Sequence, residues 1–440
     1  MSIATADTGQ GHKMGPALAT FLVASNMIGS GVFLLPATLA TVGSITVVGW
    51  VIAGLGALLL AAVFAFLSRV RPEATGIVEH VTGSLGRFLG FEAAFAYWLT
   101  CTIGNIAIAV AVVGYLAFFI PVLKGPVAGA AAAVAVIWIL TFANIIGPRF
   151  VGRLNGLALA VGLLPILAAA GLGWLHFDAE LFRQSWNVTG KPDAQSVAPA
   201  LVLVFWAFLG LESASVCARV VRNPERNVPL ATYGGVALSA VLYIVASAAV
   251  FGVMPAAELA RSTAPFADVV ERLAGAGVAA AVAACALLKA SGTLGGWIMV
   301  TAQTTRSSAE AGYFPKVLSS MREDGVPVRD LIVLAVLMTI VAFATVQPTV
   351  GEQFGVLINV ATNLSLAVYA LCCVALVRGA GKLGRWQGAA VVTAVAGFAF
   401  SVAVIALSDA ELLKVQGWLF LLSLPLFGLV WWMGRRRVEG

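Results

Sequence analysis

Two ionisable residues, Glu212 and Lys289, stand deep inside long apolar runs of this 440-residue chain. Charged groups so placed are candidates for function by default. Glu212 lies in Leu209-Gly210-Leu211-Glu212-Ser213-Ala214-Ser215, which interrupts its own hydrophobic segment. A desolvated carboxylate there could take up a proton, sense pH or hold a gate by a hydrogen bond. The plainer alternative is a carboxylate that caps the orphan amides of a half-helix. Lys289, Gly292, Thr293 and Gly296 share one helical stripe whose small residues admit close approach of another helix. An ammonium at that depth could occupy the place of a bound Na⁺, or could itself carry a proton. Its alternatives are a lysine snorkelling to an interface or paired with Glu212.

Aromatic and amide groups form the next set. Trp206 precedes the Gly210 interruption by one turn, and Trp297 follows Gly295-Gly296. The face of a tryptophan holds a cationic group by about 0.5–2 kcal/mol, although most membrane tryptophans anchor interfaces or fill cores. Trp98, Trp431 and Trp432 are assigned to that second role. Asn105, two turns after Tyr97, needs a partner at membrane depth, either another helix or a ligand. Tyr369 is a candidate gate hydroxyl or a packed core residue. Glu79-His80 is expected to be a solvated loop pair, with a gate role as the alternative. No phosphate-cradling glycine loop, zinc spacing or nucleophile elbow is present, so the sequence offers no enzyme chemistry, and no cofactor is expected.

These groups need elements that can hold them, and the composition says which. The chain is 60% hydrophobic and 10% charged, with a mean hydropathy of +0.98. That excludes a soluble domain and predicts an all-α integral membrane protein. Twelve spans are expected near 15–40, 45–68, 88–121, 126–146, 154–175, 196–218, 230–253, 274–304, 331–347, 354–377, 387–407 and 416–434. With both termini cytoplasmic, nineteen Lys and Arg residues fall on the cytoplasmic side and six on the other, as the positive-inside rule requires. The net charge of +6 follows from this topology and gives no indication of nucleic acid.

The first span is broken at Met27-Ile28-Gly29-Ser30-Gly31, where two glycines bracket a serine. Backbone freed from helical pairing inside a bilayer survives only where protein or a water-filled cavity satisfies it. The second break, at Leu209–Ser215, falls five spans later. Paired interruptions at matching positions point to an inverted five-helix repeat with a binding site between the breaks. The organisation expected is a disordered cytoplasmic segment over 1–13, a first repeat over 14–175 and a second over 196–377. Two appended spans over 386–434 and a basic cytoplasmic tail over 435–440 follow. The stretches near 176–195, 254–273 and 305–330 read as loops. Cys101, Cys217, Cys285, Cys372 and Cys373 lie in or beside spans and read as buried thiols without a disulfide framework. No cleavable signal peptide is expected.

Several longer motifs extend these readings. They are Asn26-Met27-Ile28-Gly29-Ser30-Gly31-Val32-Phe33-Leu34-Leu35-Pro36, Gly104-Asn105-Ile106-Ala107 and Trp206-Ala207-Phe208-Leu209-Gly210-Leu211-Glu212. Arg222-Asn223-Pro224-Glu225-Arg226-Asn227-Val228-Pro229, Gly295-Gly296-Trp297 and Gly312-Tyr313-Phe314-Pro315 join them. Together they resemble the amino acid–polyamine–organocation superfamily, in its branch of basic amino acid/polyamine antiporters, over about residues 13–435. The resemblance implies a twelve-span fold with a five-plus-five inverted repeat and discontinuous first and sixth helices, commonly as a homodimer in a bacterial inner membrane. It implies sodium-independent exchange of a cationic amino acid for its decarboxylated amine, of arginine/agmatine or ornithine/putrescine type.

Carried over by motif, the resemblance puts the backbone of Met27–Gly31, with Ser30, on the α-amino and α-carboxylate groups. Trp206 stacks on the substrate stem with Leu209 beside it. Trp297 stacks on the distal cation near Cys101 and Asn105. Glu212, Tyr97 and Tyr369 form a cytoplasmic-side gate. Three departures from the arginine exchangers stand out: Ala361 in place of a serine near the guanidinium, Thr75-Gly76-Ile77-Val78 in place of a gate segment with an aromatic, and Lys289 in place of a small neutral residue. The first weakens the case for arginine. The other functions compatible with the sequence are proton-coupled uptake of neutral or varied amino acids through Lys289 or Glu212, and a substrate-binding sensor.

Overall fold

The computed structural model describes residues 15–29, 31–74, 76–212 and 221–435, and among these it is all-helical with no β-strand. Eight of the described helices are long and apolar enough to cross a membrane. The chain begins with α1 (Pro16–Met27), α2 (Gly31–Leu39), α3 (Thr46–Val70), the short α4 (Ile77–Leu85) and the 33-residue α5 (Arg87–Phe119). Next come α6 (Pro126–Ile146), α7 (Pro148–Val161), α8 (Leu164–Leu175) and the small α9 (Ala179–Gln184). A second half holds α10 (Asp193–Phe205), α11 (Pro224–Phe251), α12 (Ala256–Leu259), α13 (Pro265–Ala274) and the 35-residue α14 (Ala276–Glu310). It ends with α15 (Val328–Ala344), α16 (Val350–Gly379), α17 (Gln387–Ala406) and α18 (Ala410–Arg435). The expected segment 1–13 and residues 436–440 of the basic tail lie outside the described residues.

Local sequence explains many of the boundaries. Proline opens α1, α6, α7 and α11, where its missing N–H and fixed φ cost nothing. Two short helices run into the two longest ones through a glycine of the same conformation. Gly86 joins α4 to α5 at φ +89°, ψ 178°, and Gly275 joins α13 to α14 at φ +82°, ψ 169°. Only glycine takes such a backbone without strain.

Several boundaries differ from the sequence expectation. The span expected over 154–175 begins at Pro148 and is interrupted between α7 and α8 at Gly162–Leu163. The loops expected near 176–195 and 254–273 instead carry α9, the start of α10, α12 and α13. In α13 the cause is amphipathic: Phe266, Val269 and Val270 are buried while Glu271 and Arg272 remain polar partners of the surface.

The small residues of α14 do what their spacing suggests. A methyl group on Gly292 would lie 2.5 Å from the Ala158 Cβ and 3.1 Å from the Leu154 carbonyl oxygen, so α14 and α7 meet backbone to backbone. Asn144 on α6 adds a donor to this contact, giving its Nδ2 to the carbonyl oxygens of Leu140 at 3.0 Å and Gly295 at 2.9 Å.

His80 corrects another expectation. Rather than forming a solvated pair with Glu79, its ring is 2% exposed, and Nδ1 has no hydrogen-bond partner. The hydrophobic face of α4 turns it inward together with Ile77 and Val81. Burial lowers its pKa below the usual histidine value, opposed by the nearby Glu79 and assisted by Arg71. The folded state therefore holds the neutral ring, and the unfolded chain binds the proton more readily as pH falls. Below the unfolded value of 6.5 stability is lost at a rate of up to about 1.4 kcal/mol per pH unit until the folded value is reached. In thermal unfolding of the purified protein between pH 8 and 5, His80→Gln should have a flatter acid limb than the parent. Parallel limbs would contradict the assignment.

Candidate substrate site

Two helices end inside the molecule and face one cavity. α1 stops at Met27, after which the Gly29 N–H turns back to the Met27 carbonyl at 2.7 Å instead of continuing the ladder. α10 tightens into a 3₁₀ turn over Trp206–Phe208, and Leu209 is extended at φ −63°, ψ 142°. Gly210 then takes φ +95°, a conformation that explains why a glycine stands at the second break. Ser30, Ser213 and Ser215 lie outside the described residues, and so does Cys217. Gly31 begins α2.

Between the two breaks lies a cavity lined by Met27, Gly29, Trp206, Leu209, Gly210, Glu212, Trp297 and Tyr369, among others. One stripe of α5 forms a wall: Tyr97, Thr100, Cys101, Gly104, Asn105 and Ile108. Their spacing is that of a single helical face. A methyl group on Gly104 would come within 3.0 Å of the Trp206 ring, so this glycine makes room for the indole.

At one end, Glu212 is 5% exposed and is held by two tyrosines. Tyr97 Oη donates to Oε1 at 3.2 Å, and Tyr369 Oη donates to Oε2 at 2.7 Å. The three residues expected to form a gate therefore meet, joining α5, the end of α10 and α16. A carboxylate accepting from two hydroxyls binds more strongly than neutral pairs do.

Along the cavity wall the hydrogen bonds leave a definite surplus of acceptors. Thr301 Oγ1 donates to the Trp297 carbonyl at 2.7 Å, so its oxygen can only accept from Asn105 Nδ2 at 2.9 Å. This fixes the orientation of the Asn105 amide and leaves its Oδ1 without a partner. Thr293 Oγ1, one turn before Trp297, is also buried without a partner. Nearby hydroxyls are committed: Ser365 Oγ donates to Thr100 Oγ1 at 3.3 Å, and Thr100 Oγ1 donates to the Ala361 carbonyl at 3.3 Å. Asn105 and Thr293, each with a buried oxygen left unpaired, line the same cavity as Trp206 and Trp297, a mixture of acceptors and aromatic faces that suits a donor-rich cationic group.

Lys289 is 3% exposed but does not line the cavity. It is not paired with Glu212; its Nζ donates to the carbonyl and hydroxyl of Ser25, at 3.1 and 3.3 Å. Nor does it snorkel, because those acceptors lie at the inner end of α1.

Comparison with known proteins agrees with this geometry. The model of the amino acid permease family matches residues 16–430. The chain belongs to that family, in its basic amino acid/polyamine branch. It is 36% identical over 374 residues to the "Cadaverine/lysine antiporter" of Escherichia coli strain K12, covering 84% of each chain. It is 35% identical over 369 residues to the "Putrescine transporter PotE" of the same strain, covering 83% of each. The Haemophilus influenzae protein of that name is 33% identical over 365 residues, covering 83% of this chain and 84% of that one. The permease is a multi-pass membrane transporter and not an enzyme.

Cavity residues of the permease that sequence reading did not single out include Thr100, Ser365 and Ile108. Completing the helical stripe from Tyr97 and Asn105 finds Thr100 and Ile108, and stepping one turn back from Tyr369 finds Ser365. Trp98 behaves as assigned, packing against Phe95 and Phe314 and donating Nε1 to Thr305 Oγ1 at 2.8 Å.

The carboxylate–tyrosine closure has an energetic signature. Tyr369→Phe removes one of the donors to the buried Glu212 carboxylate, and should lower unfolding stability by about 1 kcal/mol or more. In a double-mutant cycle with Glu212→Gln, the two losses should couple by about 1 kcal/mol or more. Simple additivity would show that the contact carries no energy.

Proposed function

We propose that this permease is a sodium-independent, alternating-access exchanger of cationic amino acids and their decarboxylated amines. Substrates ending in a primary ammonium, of the lysine/cadaverine and ornithine/putrescine kind, are its preferred cargo. The observation that carries the reading is the pair of unpaired acceptors, Asn105 Oδ1 and Thr293 Oγ1, in a cavity walled by Trp206 and Trp297. Two acceptors and an aromatic face meet the needs of one ammonium; a guanidinium presents five N–H groups in a plane and wants more. Ala361 offers that plane no side-chain oxygen. The names of the relatives support amine exchange.

In this reading the turn after Met27, with Ser30 and Gly31, takes the α-amino and α-carboxylate groups through freed backbone. Trp206, with Leu209 beside it, covers the stem. Trp297, Cys101 and Asn105 receive the distal ammonium. Glu212, Tyr97 and Tyr369 close the cytoplasmic side. The frame is twelve spans, five-plus-five and inverted, with both termini cytoplasmic in a bacterial inner membrane. The repeat is supported by the two breaks and by the matching pairs of a short helix, a positive-φ glycine and a long helix at Gly86 and Gly275.

Flux into proteoliposomes tests the proposal. Labelled lysine should enter vesicles preloaded with cadaverine, putrescine or lysine, and should not accumulate in empty ones. Unlabelled lysine and ornithine should compete better than arginine. Asn105→Leu, which removes the acceptor but keeps the volume, should raise KM for the amine by about tenfold or more, the cost of one lost hydrogen bond to a charged group. Accumulation in empty vesicles driven by an inward proton gradient would replace exchange with proton-coupled uptake.

A further inference from the structure

The last helix, α18, is joined to α5 by one small cluster. Many of its large apolar side chains, Trp418, Leu421, Leu422 and Leu429 among them, are exposed. On the face turned to α5, Phe427 meets two rings, Phe88 at 5.1 Å and Phe91 at 5.3 Å between centroids. One turn earlier Ser423 is fully buried, and its hydroxyl reaches the half-buried carboxyl of Glu92 on α5. Glu92 lies inside the apolar stretch Arg87–Phe119 and outside the lining of the substrate cavity.

The hydrogens around Ser423 can be counted. Its Oγ lies 2.6 Å from the Phe420 carbonyl oxygen, 2.8 Å from Glu92 Oε1 and 2.9 Å from Oε2. A serine hydroxyl carries one hydrogen, and a carbonyl carries none. With Glu92 ionised, that one hydrogen must choose, and either the carbonyl or the carboxylate is left against a bare oxygen. With Glu92 in its acid form each group has a hydrogen: the carboxyl O–H donates to Ser423 Oγ, and the serine donates to Phe420. The charges nearby favour the same state. Among the described residues no basic side chain forms an ion pair with Glu92. Arg87 on α5 gives Nη2 to the Gly312 carbonyl at 3.4 Å, and Lys414 on α18 pairs with Glu411 at 2.7 Å. The short α4, which runs into the same end of α5, brings an acid, Glu79, and the buried neutral ring of His80. A carboxylate at membrane depth without a counter-charge is costly.

We propose that Glu92 is a proton-binding site in the membrane wall of the carrier, and that the bound proton docks α18 on α5. Without it the carboxylate and the Phe420 carbonyl compete for one hydroxyl, and the contact loosens. The site lies on the helix that carries Tyr97 and Asn105, yet apart from the cavity. Its proton therefore acts on that wall without competing with cargo. The proposal does not depend on which cargo is carried.

Infrared difference spectra of the purified protein at pH 7 test the assignment. The parent should show a carboxylic acid C=O band that Glu92→Gln lacks, and Ser423→Ala should shift that band. Loss of carboxylate bands alone would overturn the proposal, and so would an acid band indifferent to Ser423→Ala. Should Glu92→Gln not fold, the shift between the parent and Ser423→Ala carries the same assignment. Docking is read by thermal unfolding. Glu92→Gln, whose amide N–H stands in for the acid O–H, should unfold within about 2 °C of the parent at pH 7. Raising the pH until the acid band disappears should destabilise the parent relative to Glu92→Gln, because the folded state then gives up a proton that it binds more tightly than the unfolded chain does. Parallel curves for the two proteins across that pH would show that the proton does not dock α18, and the proposal would fall.

Discussion

Every backbone polar group in a bilayer-spanning protein must find a partner inside the protein, and this permease breaks two helices where that demand is hardest to meet. The break after Met27 is tolerated because its loose ends are each taken up locally. Gly29 turns its amide onto Met27, and Lys289 covers the Ser25 carbonyl. At the second break Gly210 takes the left-handed conformation, and Glu212 is pinned by Tyr97 and Tyr369. The cavity between the breaks exists because those four arrangements hold.

The surrounding frame serves the same end by rigid contact. The backbone approach of α14 to α7 at Gly292 and the Asn144 bond to the Gly295 carbonyl fix the helix that carries Lys289, Thr293 and Trp297. These three residues lie on successive turns, so positioning one positions all. On the facing wall, α5 presents Tyr97 and Asn105 on one stripe eight residues apart. One end of that stripe binds the Glu212 carboxylate, and the other carries the unpaired Asn105 Oδ1.

Much of this was legible in the sequence. Both breaks were readable from glycine inside an apolar run, Gly29 and Gly31 at the first and Gly210 beside Glu212 at the second, because glycine weakens a helix interior. Trp206, Trp297, Asn105, Cys101, Tyr97, Glu212 and Tyr369 were each picked out, and all line the one cavity. His80 was misjudged. Its neighbour Glu79 made the segment look solvated, whereas the turn of α4 puts the ring inside. Thr100 and Ser365 were overlooked because a hydroxyl in an apolar span ordinarily bonds its own helix and carries no periodic signal.

The sequence by itself determined that this chain lives in a membrane, where its helices are interrupted and which few polar side chains lie deep within it. These properties follow from hydropathy and from backbone preferences that act within a few residues. The tertiary structure alone decided which polar atoms remain unpaired. The free Asn105 Oδ1 depends on a hydroxyl of Thr301 from another helix, and the partner of Lys289 lies 264 positions away at Ser25 and not at Glu212. Hydrogen-bond satisfaction is settled by neighbours in space, and two carboxylate or carbonyl candidates for one ammonium look alike until the packing brings only one within reach.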